Sequence, residues 1–144
     1  MAVELHTTLA VRLRGVGQRY TAGRRALVEI LGCAERPLAL PDILAAAPQL
    51  PQSSVYRNLS VLEQAGAVHR VHTSGEYARY ELAEDLTEHH HHLVCTSCGD
   101  VTDVMIPAGV ERAVERATAE VASGAGFRLD GHRLDLVGRC ADCT

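Results

Sequence analysis

An α+β fold in two small modules is what this sequence predicts, and three features predict it. Leucine and valine recur at helical spacing through the first part of the chain, up to Gly66. Two short alternating segments follow, residues 67–72 and 77–82, in the pattern of a β-hairpin. Two Cys-x-x-Cys motifs, Cys95/Cys98 and Cys140/Cys143, then bracket a stretch that reads strand, strand, helix, strand.

Residues 3–15 predict a helix, with Leu5, Leu9 and Leu13 at every fourth position and Arg12 and Arg14 near its end. Thr21 is placed to cap a second helix, with Leu27, Ile30 and Leu31 on one face and Gly32 as its stop. Pro41 suits the first turn of a short third helix, Asp42 to Ala47, and Pro48 and Pro51 punctuate its end. Ser53 or Ser54 opens a fourth helix that buries Val55, Leu59 and Leu62. Its outer face shows Ser53, Ser54, Tyr56, Arg57 and Ser60. The hairpin then turns at Ser74-Gly75. Short helices followed by a hairpin are the order of a winged helix-turn-helix, with Tyr56 and Arg57 where a recognition helix faces the major groove. The competing reading is a plain α+β domain with scattered surface arginines.

Ala83 to Glu88 carries three acids without periodicity and reads as a hinge. His91 to Cys95 and Val101 to Ile106 read as strands. After Pro107 a helix carries Val110, Val114, Ala117 and Val121 on one stripe, packed on the sheet, and Gly124 and Gly126 end it. Phe127 to Gly138 reads as one long strand, with Leu134 and Leu136 facing one way. The expected boundaries are a first domain over 1–82, a hinge over 83–90 and a second domain over 91–144.

Composition narrows the function. The chain has 144 residues, 47% of them apolar, and a formal net charge of −4. That charge is unevenly spread. Residues 1–80 hold nine arginines against six carboxylates, and residues 81–144 hold five against twelve. Such asymmetry argues against uniform coating of nucleic acid and allows DNA binding by the first half. No apolar run approaches the roughly 18 residues of a membrane span. Met1 to Leu13 has charges and no apolar core, so a signal peptide is not expected and a cytoplasmic location is. Without export, paired Cys-x-x-Cys motifs favour metal over disulfides.

Zinc takes four thiolates in a tetrahedron, and two thiolates three residues apart in a tight turn can both reach one ion. Cys95, Cys98, Cys140 and Cys143 therefore form a closed structural zinc site, with a redox pair or two disulfides as alternatives. Cys33 is left over and reads as an inert buried thiol.

His89-His90-His91-His92 runs directly into Cys95. On a strand of period two, His90 and His92 point one way and His89 and His91 the other. The stretch can feed two metal sites. Candidate further ligands are His69, His72, Glu81, Asp103, Glu111 and His132. A solvated histidine run without metal is the plain alternative.

Four segments carry a resemblance covering about Arg14 to Cys143: Ser54-Val55-Tyr56-Arg57-Asn58-Leu59, Tyr80-Glu81-Leu82, the run from His89 to Gly99, and the terminal cysteine pair. The chain resembles the ferric uptake regulator family of bacterial metal-responsive repressors. The resemblance implies an N-terminal winged helix-turn-helix domain and a small C-terminal α/β dimerisation domain that carries the zinc site of four cysteines. It implies a homodimer on double-stranded palindromic operator DNA, repressing genes of metal homeostasis when a regulatory metal is bound. Tyr56 and Arg57 would contact DNA beside Ser54, and Arg14 and Arg19 would reach the backbone or minor groove. The chemistry agrees, because Arg can bridge guanine or phosphate and the Tyr ring can pack on a thymine methyl.

The family's hinge sensor uses histidines matching His90 and His92 and a wing side chain matching Glu81. Its second-domain site matches His89, His91, Glu111 and His132, with Glu111 reached through a one-residue insertion. Two departures matter. Iron-type members have a histidine where this chain has Pro37, and zinc-type members have a cysteine near the hairpin's end, whereas residues 80–88 contain none. Zinc-type actinobacterial relatives place an Asp at His69. The expected sensor is His69, Glu81, His90 and His92, with His72 in reserve. Such donors suit Zn2+ or Fe2+ and also admit Mn2+, Ni2+ or Co2+. Within the family a peroxide sensor is the alternative, with Asp103 as an added carboxylate. A zinc-dependent enzyme would need an open metal position and a general base. Glu88 beside His89 is a weak pair for that, so no enzyme is expected. A metal buffer would show no sequence-specific DNA binding.

Overall fold

The computed structural model describes residues 2–73 and 75–144. Ser74, half of the expected Ser74-Gly75 turn, lies outside them. Helix α1 spans Ala2–Gly15 and buries Leu9 and Leu13. Helix α2, Ala22–Cys33, starts where Thr21 accepts from the Arg24 N–H. It buries Arg24, Leu27, Val28 and Leu31, so Val28 rather than Ile30 completes its inner face. It also runs one residue past Gly32. Strand β1, Leu38–Ala39, leads into helix α3, Leu40–Ala46, with Pro41 in the first turn. Helix α4, Gln52–Gln64, buries Val55, Leu59 and Leu62. Neither Ser53 nor Ser54 caps it. Pro51 holds the cap position, and its carbonyl accepts from the N–H groups of Ser54 and Val55.

Strands β2, Val68–Val71, and β3, Arg79–Leu82, pair antiparallel and form the wing. Their register sets His69 directly opposite Glu81. Strand β1 adds to the other edge of β3, a pairing too short to leave an alternation in sequence. The contiguous core joins Leu9, Leu13, Leu27, Leu31, Ile43, Leu59, Leu62 and Leu82; its buried members all lie within the first 82 residues, and Leu86 packs against it from just beyond.

A short 3-10 turn, Glu84–Leu86, occupies the expected hinge. Strands β4 (His91–Cys95) and β5 (Val101–Val104) pair antiparallel. Helix α5 spans Ala108–Gly124, and strand β6, Asp135–Gly138, pairs parallel with β4. The expected long strand from Phe127 is therefore only its last four residues. A strand persists where it has a ladder partner, and β4 offers one over His92 to Cys95. Nor does α5 cover the sheet. Val110 and Val121 of its stripe are 50% and 74% exposed, and Leu136 on β6 is 44% exposed. Among the described residues no helix is long and apolar enough to cross a membrane.

The wing meets the Cys95–Asp100 turn. Arg79 Nε donates to the Gly99 carbonyl at 3.0 Å, and Arg36 Nη1 pairs with Asp100 at 3.1 Å. Gly99, at φ +76, approaches Gly75 so closely that a Cβ there would lie 2.5 Å from the Gly75 Cα.

Candidate metal centres and nucleic-acid face

Glu81 sits at the centre of the first donor group. Strand β3 carries it with a side chain only 9% exposed. Its Oε2 faces His90 Nε2 at 3.1 Å and His92 Nε2 at 3.0 Å. Asp103, opposite His92 in the β4–β5 register, brings Oδ1 to 3.8 Å from His90 Nε2 and 3.7 Å from His92 Nε2. The ligand atoms of Glu81, His90, His92 and Asp103 all lie within 4.8 Å of one another. Donors about 2.1 Å from a tetrahedral ion stand roughly 3.4 Å apart, so this spacing fits a divalent metal. The buried Asp103 Oδ1 has no hydrogen-bond partner, which marks a place for a cation.

His69 stands one step away. Its Nε2 meets the other Glu81 oxygen, Oε1, at 2.7 Å and lies outside the four-donor group. His72, held in reserve, is exposed just beyond β2 and also lies outside it.

The electrostatics match this arrangement. Burial alone would raise the Glu81 carboxyl, but hydrogen bonds from His69, His92 and His90 outweigh it and hold the group far below the usual carboxylate range. Burial pulls against His90 and His92, yet both are raised: His90 by the Glu88 carbonyl and Glu81, His92 by Glu81 and Asp135. Burial, with Glu81 close by, pushes Asp103 up.

The second group faces the other way, as the alternation requires. Glu111, in the first turn of α5, meets three imidazoles. His89 Nε2 is 3.0 Å from Oε1, His132 Nε2 is 2.6 Å from Oε1, and His91 Nε2 is 2.8 Å from Oε2. Hydrogen bonds from His91 and His89 lower the Glu111 carboxyl. Three nitrogens and one carboxylate, all within 4.8 Å, fit a tetrahedral ion.

The four cysteines form the third group. Cys98 Sγ and Cys140 Sγ are 3.8 Å apart. A disulfide would bring two sulfurs to about 2.05 Å. Zinc–sulfur bonds of about 2.3 Å put tetrahedral sulfurs about 3.8 Å apart, so the geometry is that of a metal clamp. The N–H groups of Cys98 and Cys140 donate to Cys95 Sγ and lower its thiol to about 6, which favours the thiolate that binds metal. Cys33 is exposed rather than buried, because α2 reaches its last turn there.

Tyr56, Arg57, Arg14 and Arg19 are exposed and Ser54 is half-buried. The position of α4 depends on Arg24, which no sequence motif marks. Buried Arg24 donates from Nε to Asn58 on α4 at 3.2 Å and from Nη1 to the Arg19 carbonyl at 2.6 Å. It thus ties the exposed helix to the segment that presents Arg19. No sequence motif marks Glu84 or Asp135 either. Glu84 contacts His89 Nδ1, and Asp135 Oδ1 lies 3.3 Å from His92 Nδ1. Each is an acid beside an imidazole, the usual outer partner of a metal-binding histidine. Only the parallel β4–β6 register brings Asp135 to His92, and no local pattern reports that register.

The family model described as "Ferric uptake regulator family" matches residues 15–137. The chain is 34% identical over 138 residues to the ferric uptake regulation protein of Campylobacter jejuni, covering 92% of this chain and 83% of that protein. It is 30% identical over 136 residues to the peroxide operon regulator of Bacillus subtilis, covering 92% and 88%. The solved structure of the Helicobacter pylori ferric uptake regulator, described as having three functional metal binding sites, matches at a TM-score of 0.77 and 25% identity. That match spans 99% of this chain and 93% of that one.

Proposed function

The chain belongs to the ferric uptake regulator family and is a metal-dependent transcriptional regulator, not an enzyme; from that premise we propose that metal held by Glu81, His90, His92 and Asp103 sets its DNA-binding form. The observation that carries this reading is where the donors come from. Glu81 belongs to the wing, while His90, His92 and Asp103 belong to the second sheet and the segment leading into it. A bound divalent ion would supply strong bonds closing that junction, with His69 bracing Glu81 from behind. Without it, His90 and His92 hold Glu81 by hydrogen bonds alone, and Asp103 Oδ1 has none. Closing the junction fixes the angle between the wing and the second sheet. In a homodimer that angle sets the separation of the two α4 helices, which must match a major-groove repeat of roughly 34 Å.

The partner is a second copy of the chain. Phe127 and Val121 are 65% and 74% exposed on and after α5, and Val137 is 67% exposed on β6. An apolar surface of this kind is normally covered. The pair would bind double-stranded palindromic operator DNA in the cytoplasm as a repressor of metal-homeostasis genes, with Tyr56, Arg57 and Ser54 toward bases and Arg14 and Arg19 toward phosphates. The group formed by Cys95, Cys98, Cys140 and Cys143 holds structural zinc. The Glu111 group, with His89, His91 and His132, is a further site for zinc or a similar ion.

The domains would divide as 1–82, 83–90 and 91–144, and a core whose buried members all lie within the first 82 residues supports that division. The test is operator binding, on DNA selected from a randomised palindrome library, with buffered Zn2+, Fe2+, Mn2+ and Ni2+. One metal should switch binding on at its buffered concentration. Equal binding by metal-free protein removes the reading. A peroxide-sensing role is the second reading, favoured by the carboxylate of Asp103 in the hinge group. Its mark is a peroxide-dependent gain of one oxygen atom on His90 or His92, read by mass spectrometry of the iron-loaded protein.

A further inference from the structure

His89 is held at both of its nitrogens. Nε2 faces Glu111 at 3.0 Å, inside the second donor group, while Nδ1 contacts Glu84. If Nδ1 keeps the proton and donates it to Glu84, the lone pair of Nε2 is left pointing at the metal position. That is the outer carboxylate arrangement that fixes tautomer and ring orientation in metal-binding histidines.

The next residue, Asp85, pairs with Arg12 of α1 at 2.5 Å. Arg12 Nη1 also donates to the carbonyl of Gly66, just beyond the end of α4, at 2.8 Å. The short turn Glu84–Leu86 thus touches the second donor group on one side and the α1–α4 face on the other.

We propose that Glu84 is a positioning residue for His89, and that its turn carries the state of the second donor group to α1 through Asp85 and Arg12. The proposal rests on the reading of His89, His91, Glu111 and His132 as a metal site. It gives that site a route to the DNA-binding half that does not pass through the hinge group. Loading draws His89 toward the metal position, Glu84 follows its Nδ1–H, and the Asp85–Arg12 pair tightens α1 against the Gly66 turn.

The test uses the full chain carrying His90→Ala, with zinc kept in the cysteine group, so that cobalt(II) reports the second group alone. Cobalt affinity is read from visible absorption against a competing chelator. Glu84→Ala should weaken cobalt binding about tenfold, and Glu84→Gln, which keeps an acceptor, should weaken it less. Both variants, free of cobalt but with zinc in the cysteine group, should unfold at the parent's temperature. Cobalt binding by Glu84→Ala as tight as the parent's overturns the positioning role. His132→Ala in the same background should abolish the cobalt absorption. If it does not, the second group is not the metal site, and the failure lies there rather than with Glu84. For transmission, cobalt should lower deuterium uptake around Arg12 in the parent. In Asp85→Ala that change should vanish while cobalt affinity is kept. Unchanged uptake in the parent overturns the route to α1.

Discussion

Glu81 organises the chemistry at the scale of single residues. One carboxylate answers three imidazoles, from a wing strand on one side and the His90–His92 stretch on the other. Replacing an outer partner of a metal ligand costs about 10- to 100-fold in affinity, so replacing this direct donor costs at least about 100-fold. Glu81→Gln should show that loss in a chelator-competition titration of the hinge group, while zinc stays in the cysteine group. The metal-free protein should also have a pH signature. Glu81 is depressed, so its contribution is complete above its ordinary value of 4.5 and is lost as pH falls through its folded value. His90 and His92 are raised, so theirs is complete below 6.5 and is lost as pH rises through their folded values. The urea stability of the parent relative to Glu81→Gln should therefore be greatest between those two values and shrink on either side. A difference that stayed the same from strongly acidic to alkaline pH, well outside that range on both sides, would contradict the hydrogen-bond assignment. The split of the four histidines was legible in sequence because strand alternation is strictly local. The exchange of Asp103 for His69 within the four-donor group was not, because the β4–β5 pairing brings Asp103 to His90 and His92, whereas His69, opposite Glu81 in the wing, meets the other Glu81 oxygen.

The helices of the first module were legible at the scale of elements because their buried faces repeat every three to four residues. Val28 displaced Ile30 on α2 because 24, 27, 28 and 31 make the inner stripe. The second module was legible in element order but not in extent. Among the described residues strand β6 is short because only β4 pairs with it, and α5 leaves Val110 and Val121 of its stripe exposed, where the proposed second copy would cover them. The contact between wing and cysteine turn has no sequence signal beyond two glycines. Gly99→Ala would add a Cβ 2.5 Å from Gly75 Cα at a positive φ. Left-handed backbone costs a non-glycine residue about 1–2 kcal/mol before that clash is counted. We expect the variant to lose at least that stability in urea denaturation while keeping its zinc. Parent-like stability would mean that the wing does not rest on the cysteine turn.

The molecule as a whole is two unequal halves. The first has a closed apolar core; among described residues the second buries little beyond Cys95, Val101 and Ala122. A module with so small a core calls for a metal staple, and the proposed second copy would add to it. Cys95→Ser should remove the zinc and, with it, the dimer, seen as one sedimenting species at the monomer mass. A zinc-free dimer would contradict the staple. Under the proposed function, the donors joining wing to second sheet couple metal to DNA. Fluorescence anisotropy of labelled operator measures it most directly, comparing the parent with His90→Ala and His92→Ala across a buffered metal titration. The parent should bind only as metal is added, and both variants should remain folded dimers that do not respond. A variant that still gained operator binding on metal addition, at the parent's metal concentration, would contradict it.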